Sequence, residues 1–354
     1  MKTYTFKIKP NKKIEQKFYQ WIGVCRYVYN VSKEVKEESH KYGLKLTSYD
    51  IQKQLTDAKK EHLFLKEVHS QTLQSVIERM DNAFKRFFKG AGYPKWASKK
   101  KWKSIPFKSV NTTHNAFKLP SFGVVKVFKF KEPKGNLKTA TIIEEADGLY
   151  LKVVVDEKKE KQQRENQSVV AIDMGISYFM TTSDGEFFDN PKHLFNQLTA
   201  LRIENRKLSR MKKGGSNYKK QVKVLGKLYQ KIKRVRKDFL HKKSRYLANN
   251  FDIIIREDLD ISKMVKKSSF AKHILDCSWS EFFNFLEYKV KVLKVNPAYS
   301  SQCCNKCKHV DKNNRKTQSL FECIRCGHTD NADLNAAFNL LERGQTLMEA
   351  NVDH

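Results

Sequence analysis

The sequence predicts an α/β chain of several domains. Helical periodicity dominates residues 11–103, period-two alternation dominates 104–160, and from residue 168 short apolar strands alternate with helices. At 354 residues the chain can bury a sizeable core and divide into two or more domains. Lys+Arg total 70 against 38 Asp+Glu, a formal net charge of +32, which calls for a polyanionic partner. Aromatics are spread along the chain, which suits base stacking better than a basic amphipathic membrane helix. No run of about 18 apolar residues occurs, and the opening M-K-T-Y-T-F-K-I-K-P lacks the apolar core of a secretory signal. The expected partner is nucleic acid rather than membrane. The expected location is the cytoplasm, on the nucleoid when bound to DNA.

Tyr4, Phe6 and Ile8 alternate with Thr5, Lys7 and Lys9, the pattern of a half-buried strand. Asn11 is placed to cap a helix whose apolar stripe runs Ile14, Phe18, Trp21, Ile22, Cys25, Val28, Tyr29, ending at Gly43. A second helix is expected over Ser48–Glu61 and a third from Ser70 to before Gly90, carrying Leu73, Val76, Ile77, Met80, Phe84, Phe87 and Phe88. Gly92–Lys103, G-Y-P-K-W-A-S-K-K-K-W-K, interleaves aromatics with lysines. It reads either as a stacking surface with Tyr93, Trp96 or Trp102 or as a basic linker with buried tryptophans. Residues 105–155 then predict antiparallel strands, broken by Gly123, Pro133–Gly135 and Asp147-Gly148. They suit a small barrel that the first strand joins, leaving the helices as an insertion. Glu157–Gln167 reads as a charged linker.

Ser168–Ile176, S-V-V-A-I-D-M-G-I, suits a strand buried on both faces, with Asp173 inside it. Such a carboxylate is costly to bury without a metal, a proton or a basic partner; otherwise it caps a turn. Phe179–Thr182, a turn at Asp184-Gly185 and Glu186–Phe188 complete a meander. Between Leu201 and Arg245 stand 18 Lys/Arg and two acids, Glu204 and Asp238; Gly214-Gly215 divides the span into two helices with apolar positions Leu225, Leu228, Ile232, Val235 and Phe239. One face packs and the other is strongly positive, suited to phosphates. Phe251–Ile255 is a second buried strand running into Arg256, Glu257 and Asp258. A helix with Phe282, Phe283, Phe285, Leu286 and Tyr288 follows, then a strand over Lys291–Val295 and a last helix over Asp333–Leu341. Residues past Gly344 read as a loose tail.

Five of the seven cysteines fall between Cys303 and Cys326. Cys304-x-x-Cys307 and Cys323-x-x-Cys326 are separated by 15 residues, the spacing of two knuckles that complete a thiolate tetrahedron. Four thiolates favour zinc and leave no open position, so the metal is expected to be structural. Cys303 competes with Cys304 as first ligand, and the two-residue gap to Cys307 favours Cys304. Cys25 and Cys277 stand alone and read as core residues.

Three antiparallel strands followed by alternating helices and strands make the ribonuclease H-like pattern. There, strand and helix carboxylates hold two divalent ions about 4 Å apart. Asp173, Glu257 and Asp333 occupy matching places, although Asp258 competes with Glu257 and Asp333 would also serve as a helix cap. Alternation sets Ile253, Ile255 and Glu257 on one strand face and Ile254, Arg256 and Asp258 on the other, without choosing between them.

Most of the chain resembles the TnpB (OrfB) proteins of insertion sequences, relatives of the type V CRISPR effector nucleases. A-I-D-M-G-I resembles the first RuvC motif and I-I-R-E-D-L the second; D-F-L-H-K-K-S at Asp238–Ser244 resembles the preceding helix. Y-S-S-Q-C-C-N-K-C and N-A-D-L-N-A-A-F-N-L resemble the zinc ribbon and the third RuvC motif, and G-Y-P-K-W also fits. The resemblance implies an RNase H-like (RuvC) nuclease domain with an inserted zinc ribbon, beside a β-barrel wedge domain and a helical recognition domain. The boundaries would be 1–10 and 104–160 for the barrel, 11–103 for the helices, 168–300 and 330–344 for the nuclease, 301–329 for the ribbon and 345–354 for the tail.

It further implies an RNA-guided, Mg2+-dependent DNA endonuclease encoded by a transposon. Asp173, Glu257 and Asp333 would be its catalytic, magnesium-binding triad, in preference to Asp258 and Asp330, with structural zinc on Cys304, Cys307, Cys323 and Cys326. One ion would activate the attacking water and the other would stabilise the leaving 3′-oxygen. The implied partners are a guide RNA from the transposon end and double-stranded DNA beside a short flanking motif, both strands being cut by a single RuvC-like site, and the protein being a monomer on its RNA. Base pairing would read the sequence while the protein reads duplex shape and the flanking motif. Where the third motif often reads D-R-D, this chain has Asn331, Ala332 and Asp333, and Cys303 stands where a non-cysteine is usual. Rival readings are a repressor that has lost cleavage, disfavoured by the intact triad, and a transposase that joins strands itself, disfavoured by the lack of an end-binding domain.

Overall fold

The computed structural model describes residues 1–157 and 168–350. The expected linker, apart from Glu157, lies outside the described residues, as do residues 351–354. Contacts divide the chain into two compact units, Met1–Lys161 and Gln162–His354.

In the first unit, β1 (Lys2–Lys7) ends before Pro10, and the Asn11 side chain accepts hydrogen bonds from the backbone N–H groups of Lys13 and Ile14 to start α1 (Lys12–Lys41). A reciprocal Thr47–Asp50 capping box starts α2 (Ser48–Glu61), and α3 (Ser70–Phe87) buries Leu73, Val76, Ile77, Met80 and Phe84. Six strands follow: β2 (Ser104–Phe107), β3 (Asn111–Thr113), β4 (Ala116–Leu119), β5 (Gly123–Lys126), β6 (Asn136–Glu145) and β7 (Gly148–Asp156). They form an antiparallel sheet β1-β7-β6-β2 and a second, β3-β4-β5, joined by an Ile8–Val127 bridge. The first strand does join the sheets, and the helices are an insertion after it. Helices and sheets share one apolar core.

The aromatic–lysine stretch divides between its two readings. Trp102 is half-buried against Tyr29 and Arg79. Tyr93 and Trp96 stay 50% and 53% exposed, with Trp96 over the buried Lys33 ammonium, which pairs with Glu37.

The second unit begins with β8 (Val169–Met174), β9 (Tyr178–Thr182) and β10 (Phe187–Asp189), followed by α4 (Leu198–Ser209), α5 (Ser216–Asn250) and β11 (Ile253–Glu257). After these come α6 (Ile261–Lys267), α7 (Ala271–Cys277), α8 (Trp279–Glu287), β12 (Lys291–Val295), the hairpin β13 (Leu320–Glu322) and β14 (Thr329–Asn331), and α9 (Ala332–Ala350). The sheet order is β10-β9-β8-β11-β12; the first three strands are antiparallel, and β11 runs parallel to both β8 and β12.

Alternation gives the sheet two faces. Val170, Ile172 and Ile254 pack with Leu240, Trp279, Phe282 and Leu286 of α5 and α8. Ala171, Ile255 and Val295 pack with Leu340 of α9. The odd-numbered positions of β8 and β11 therefore face α9, which decides the face of the carboxylates. Arg256, on the opposite face, lies over Phe283 and pairs with Glu287.

Two local expectations need correction. Val235 is exposed, because helical phase from buried Ile232 reaches Arg236 and then Leu240. Arg236 occupies the inward slot and pairs with buried Asp276 at 2.6 Å. The tail beginning at residue 345 is also helical as far as Ala350. Gly344 is there for close packing, not to end the helix: a Cβ on it would lie 2.2 Å from Ile255 Cδ1. Gly344→Ala should thus destabilise the second unit, since overpacking costs about 1–3 kcal/mol against a helix-propensity gain of about 1 kcal/mol. Thermal melting should show a lower Tm, and an unchanged or higher Tm would refute this packing role.

Candidate active site and metal centre

Asp173 and Glu257 lie on the α9 face of adjoining parallel strands, one step beyond the Arg256–Ile172 pair. Asp333 sits in the first turn of α9, the helix that covers that face. The cap is supplied by Asn331, whose side-chain oxygen accepts from the backbone N–H groups of Asp333 (2.9 Å) and Leu334 (3.2 Å). The Asp333 side chain is therefore not the cap of its helix. Gly175 keeps the turn after β8 tight, since a Cβ there would stand 2.8 Å from the Tyr178 carbonyl and 3.9 Å from Asp333 Oδ2.

The three acids share one electrostatic environment. Burial, and then the charges of Glu257 and Asp333, push the Asp173 carboxyl well above the ordinary carboxylate range. Burial also raises Glu257, against the opposing effects of a Ser300 hydrogen bond and Arg343. Ser300 Oγ donates to Glu257 Oε1 at 2.6 Å, and Arg315 donates to Asp333 Oδ1 at 2.9 Å. Carboxylate oxygens are the donor type a hard divalent cation takes, whereas among the described residues only the four cysteines already lie close enough together to ligate one ion.

Sequence reasoning missed Arg315 and Ser300. Arg315 lies between the two cysteine pairs and bridges to Phe321; nothing in the local sequence signals that it reaches an acid 18 residues on. Ala332, where an arginine is usual, is buried with Cys304, Phe321 and Cys323 under the ribbon. The guanidinium beside Asp333 is that of Arg315.

Cys304, Cys307, Cys323 and Cys326 bring their Sγ atoms within 4.8 Å of one another, with 304–326 at 3.7 Å and 307–323 at 3.5 Å. Metal–sulfur bonds of about 2.3 Å imply tetrahedral edges of about 3.8 Å, so these thiols fit zinc. Cys303 lies outside the group, its Sγ against the Cys304 carbonyl. Cys25 and Cys277 are buried, and that burial pushes their thiols up to about 12 and about 11, as expected of inert core residues.

Of the 18 basic residues between Leu201 and Arg245, all but Arg236 and Lys243 are exposed. Their helices present a broad positive surface. No helix among the described residues is long and apolar enough to cross a membrane.

Comparison with known proteins adds three family matches. Residues 152–268 match a family described as a probable transposase, OrfB of IS605; residues 279–340 match a Cas12f1-like TNB domain; residues 1–45 match a helix-turn-helix domain. Here residues 1–45 form a strand and one 30-residue helix. The chain is 30% identical to a putative RNA-guided DNA endonuclease, InsQ, of Escherichia coli K12, covering 98% of this chain and 93% of that protein. A putative RNA-guided DNA endonuclease of Streptomyces pristinaespiralis is 28% identical over 97% of this chain and 89% of its own length. A Cas12f1–sgRNA–target DNA complex aligns with 97% of this chain and 99% of its own at 17% identity and a TM-score of 0.38, too distant to bear on function.

Proposed function

Because the chain belongs to the TnpB (OrfB) family, we propose that it is an RNA-guided DNA endonuclease whose catalytic triad is Asp173, Glu257 and Asp333. The observation that carries this reading is the trio itself: two acids on one sheet face, a third at the start of the adjacent helix where Asn331 supplies the cap, and the charges of Glu257 and Asp333 acting on buried Asp173. Bound magnesium ions would supply a nucleophilic water and stabilise the leaving 3′-oxygen. The chain's own residues do the rest. Asp173, Glu257 and Asp333 would hold the ions, Arg315 pairs with the last of these carboxylates, and the lysines and arginines of α4 and α5 bind phosphates. Cys304, Cys307, Cys323 and Cys326 hold a structural zinc. The sheets of the first unit serve as the wedge domain and α1–α3 as the recognition domain. The guide is an RNA from the transposon end, and the target is double-stranded DNA beside a short flanking motif.

Purifying the protein from its native locus and sequencing the RNA that accompanies it tests the guide. The expected result is one predominant RNA whose 3′ end matches the flank of the element. Heterogeneous RNA would refute guided action.

A further inference from the structure

Ser300 is 5% exposed and lies between β12 and the first zinc knuckle. Its hydroxyl has one proton, and the Glu257 carboxylate at 2.6 Å competes for it against the Pro297 carbonyl at 3.1 Å. The charged acceptor makes the shorter and stronger bond. The other end of Glu257 is fixed too, because Arg256 Nη1 donates to its backbone carbonyl at 2.7 Å. With that backbone held from the opposite face of the sheet, the direction of the carboxylate depends on Ser300.

Two buried asparagines, four residues apart on α9, hold Ser300 in turn. Asn339 Nδ2 donates to the Ser300 carbonyl at 2.9 Å and to the Cys303 carbonyl at 2.7 Å. Asn335 Nδ2 donates to the same Cys303 carbonyl at 2.8 Å, and Asn335 Oδ1 accepts from the Asn305 N–H at 3.0 Å. These four bonds fix the segment from Ser300 through the ligand Cys304 onto the helix that carries Asp333. Holding a zinc knuckle would not by itself require a serine aimed at an acid of the neighbouring strand.

We propose that Ser300 is a positioning residue for Glu257, held in register by Asn335 and Asn339 so that the zinc knuckle helps set the geometry of the divalent-ion site. The inference rests on the reading of Glu257 as an ion ligand. Partners that orient metal-binding carboxylates typically account for about 10- to 100-fold in metal affinity or activity.

The test is calorimetric titration of Mn2+ into the zinc-loaded full-length protein free of nucleic acid, for wild type, S300A, S300T and E257Q. S300A should bind manganese about 10-fold more weakly at unchanged zinc content, and S300T, which keeps the hydroxyl, should bind nearly as wild type. With guide RNA and target present, S300A should shift the Mg2+ midpoint of single-turnover cleavage upward without weakening DNA binding. If S300A loses zinc, S300C, similar in size and a poor donor, must show the same weakening. Wild-type manganese affinity in the folded serine variant, with affinity lost in E257Q, would overturn the inference alone. Undiminished binding in E257Q would overturn the triad reading and the inference with it.

Discussion

Replacing Asp173 with alanine should reduce target cleavage by about three orders of magnitude or more, roughly 4 kcal/mol of transition-state stabilisation, while leaving RNA binding intact. The side chain lies on the α9 face of the sheet, whereas the basic helix α5 packs on the opposite face. RNA affinity should therefore survive. Stability gives the variant an independent readout. A carboxyl whose pKa is raised by folding stabilises the protein below its unfolded value, and that stabilisation is lost as pH rises through the folded value. At neutral pH, above its unfolded value and without a divalent ion, Asp173 therefore costs stability through burial and through the charges of Glu257 and Asp333. Asp173→Asn should accordingly raise Tm in magnesium-free buffer at neutral pH, by about 2–4 °C per kcal/mol of repulsion relieved, and the gain should shrink toward pH 4. Chelators must be omitted because they would strip the thiolate site. Residual cutting by Asp173→Ala in magnesium, or a Tm gain independent of pH, would contradict the electrostatic account.

Cys323→Ser should have the second large effect, on folding rather than chemistry. The hairpin of the ribbon is very short, with β13 and β14 of three residues each, and its buried cluster holds only Cys304, Phe321, Cys323 and Ala332. So small a core should depend on bound zinc, which in structural sites contributes about 10–16 kcal/mol. Losing one thiolate should abolish stoichiometric zinc, lower soluble yield and expose the segment around Ser300 to proteolysis. A variant with full zinc content and wild-type melting would remove the ribbon assignment.

Much of this was legible in the sequence because the relevant signals are local. Asn11, the Thr47–Asp50 pair and the period-two runs act within a few residues, and α1, α2, α3 and the strands follow them. The four cysteines were legible from spacing, whereas the carboxylates needed the resemblance to separate Glu257 from Asp258. What escaped depends on distant atoms. Gly344 suits a helix end as well as a close contact, and only the position of Ile255 distinguishes them. Asp333 is also a residue type that caps helices, and only the fold shows Asn331 in that role. Val235 and Arg236 differ by one step of helical phase, and buried Asp276, from α7, selects the arginine. Arg315 and Ser300 gain meaning only when the ribbon is folded against α9.

Guide replacement tests the central claim most directly. The 3′ segment of the co-purified RNA is exchanged for a sequence matching a chosen plasmid site flanked by randomised positions, and the cut products are sequenced. Cleavage should move to the new site, occur beside a single recurrent flanking motif and disappear with Asp173→Ala. Cleavage that ignores the new RNA sequence, or persists without Asp173, would contradict the account.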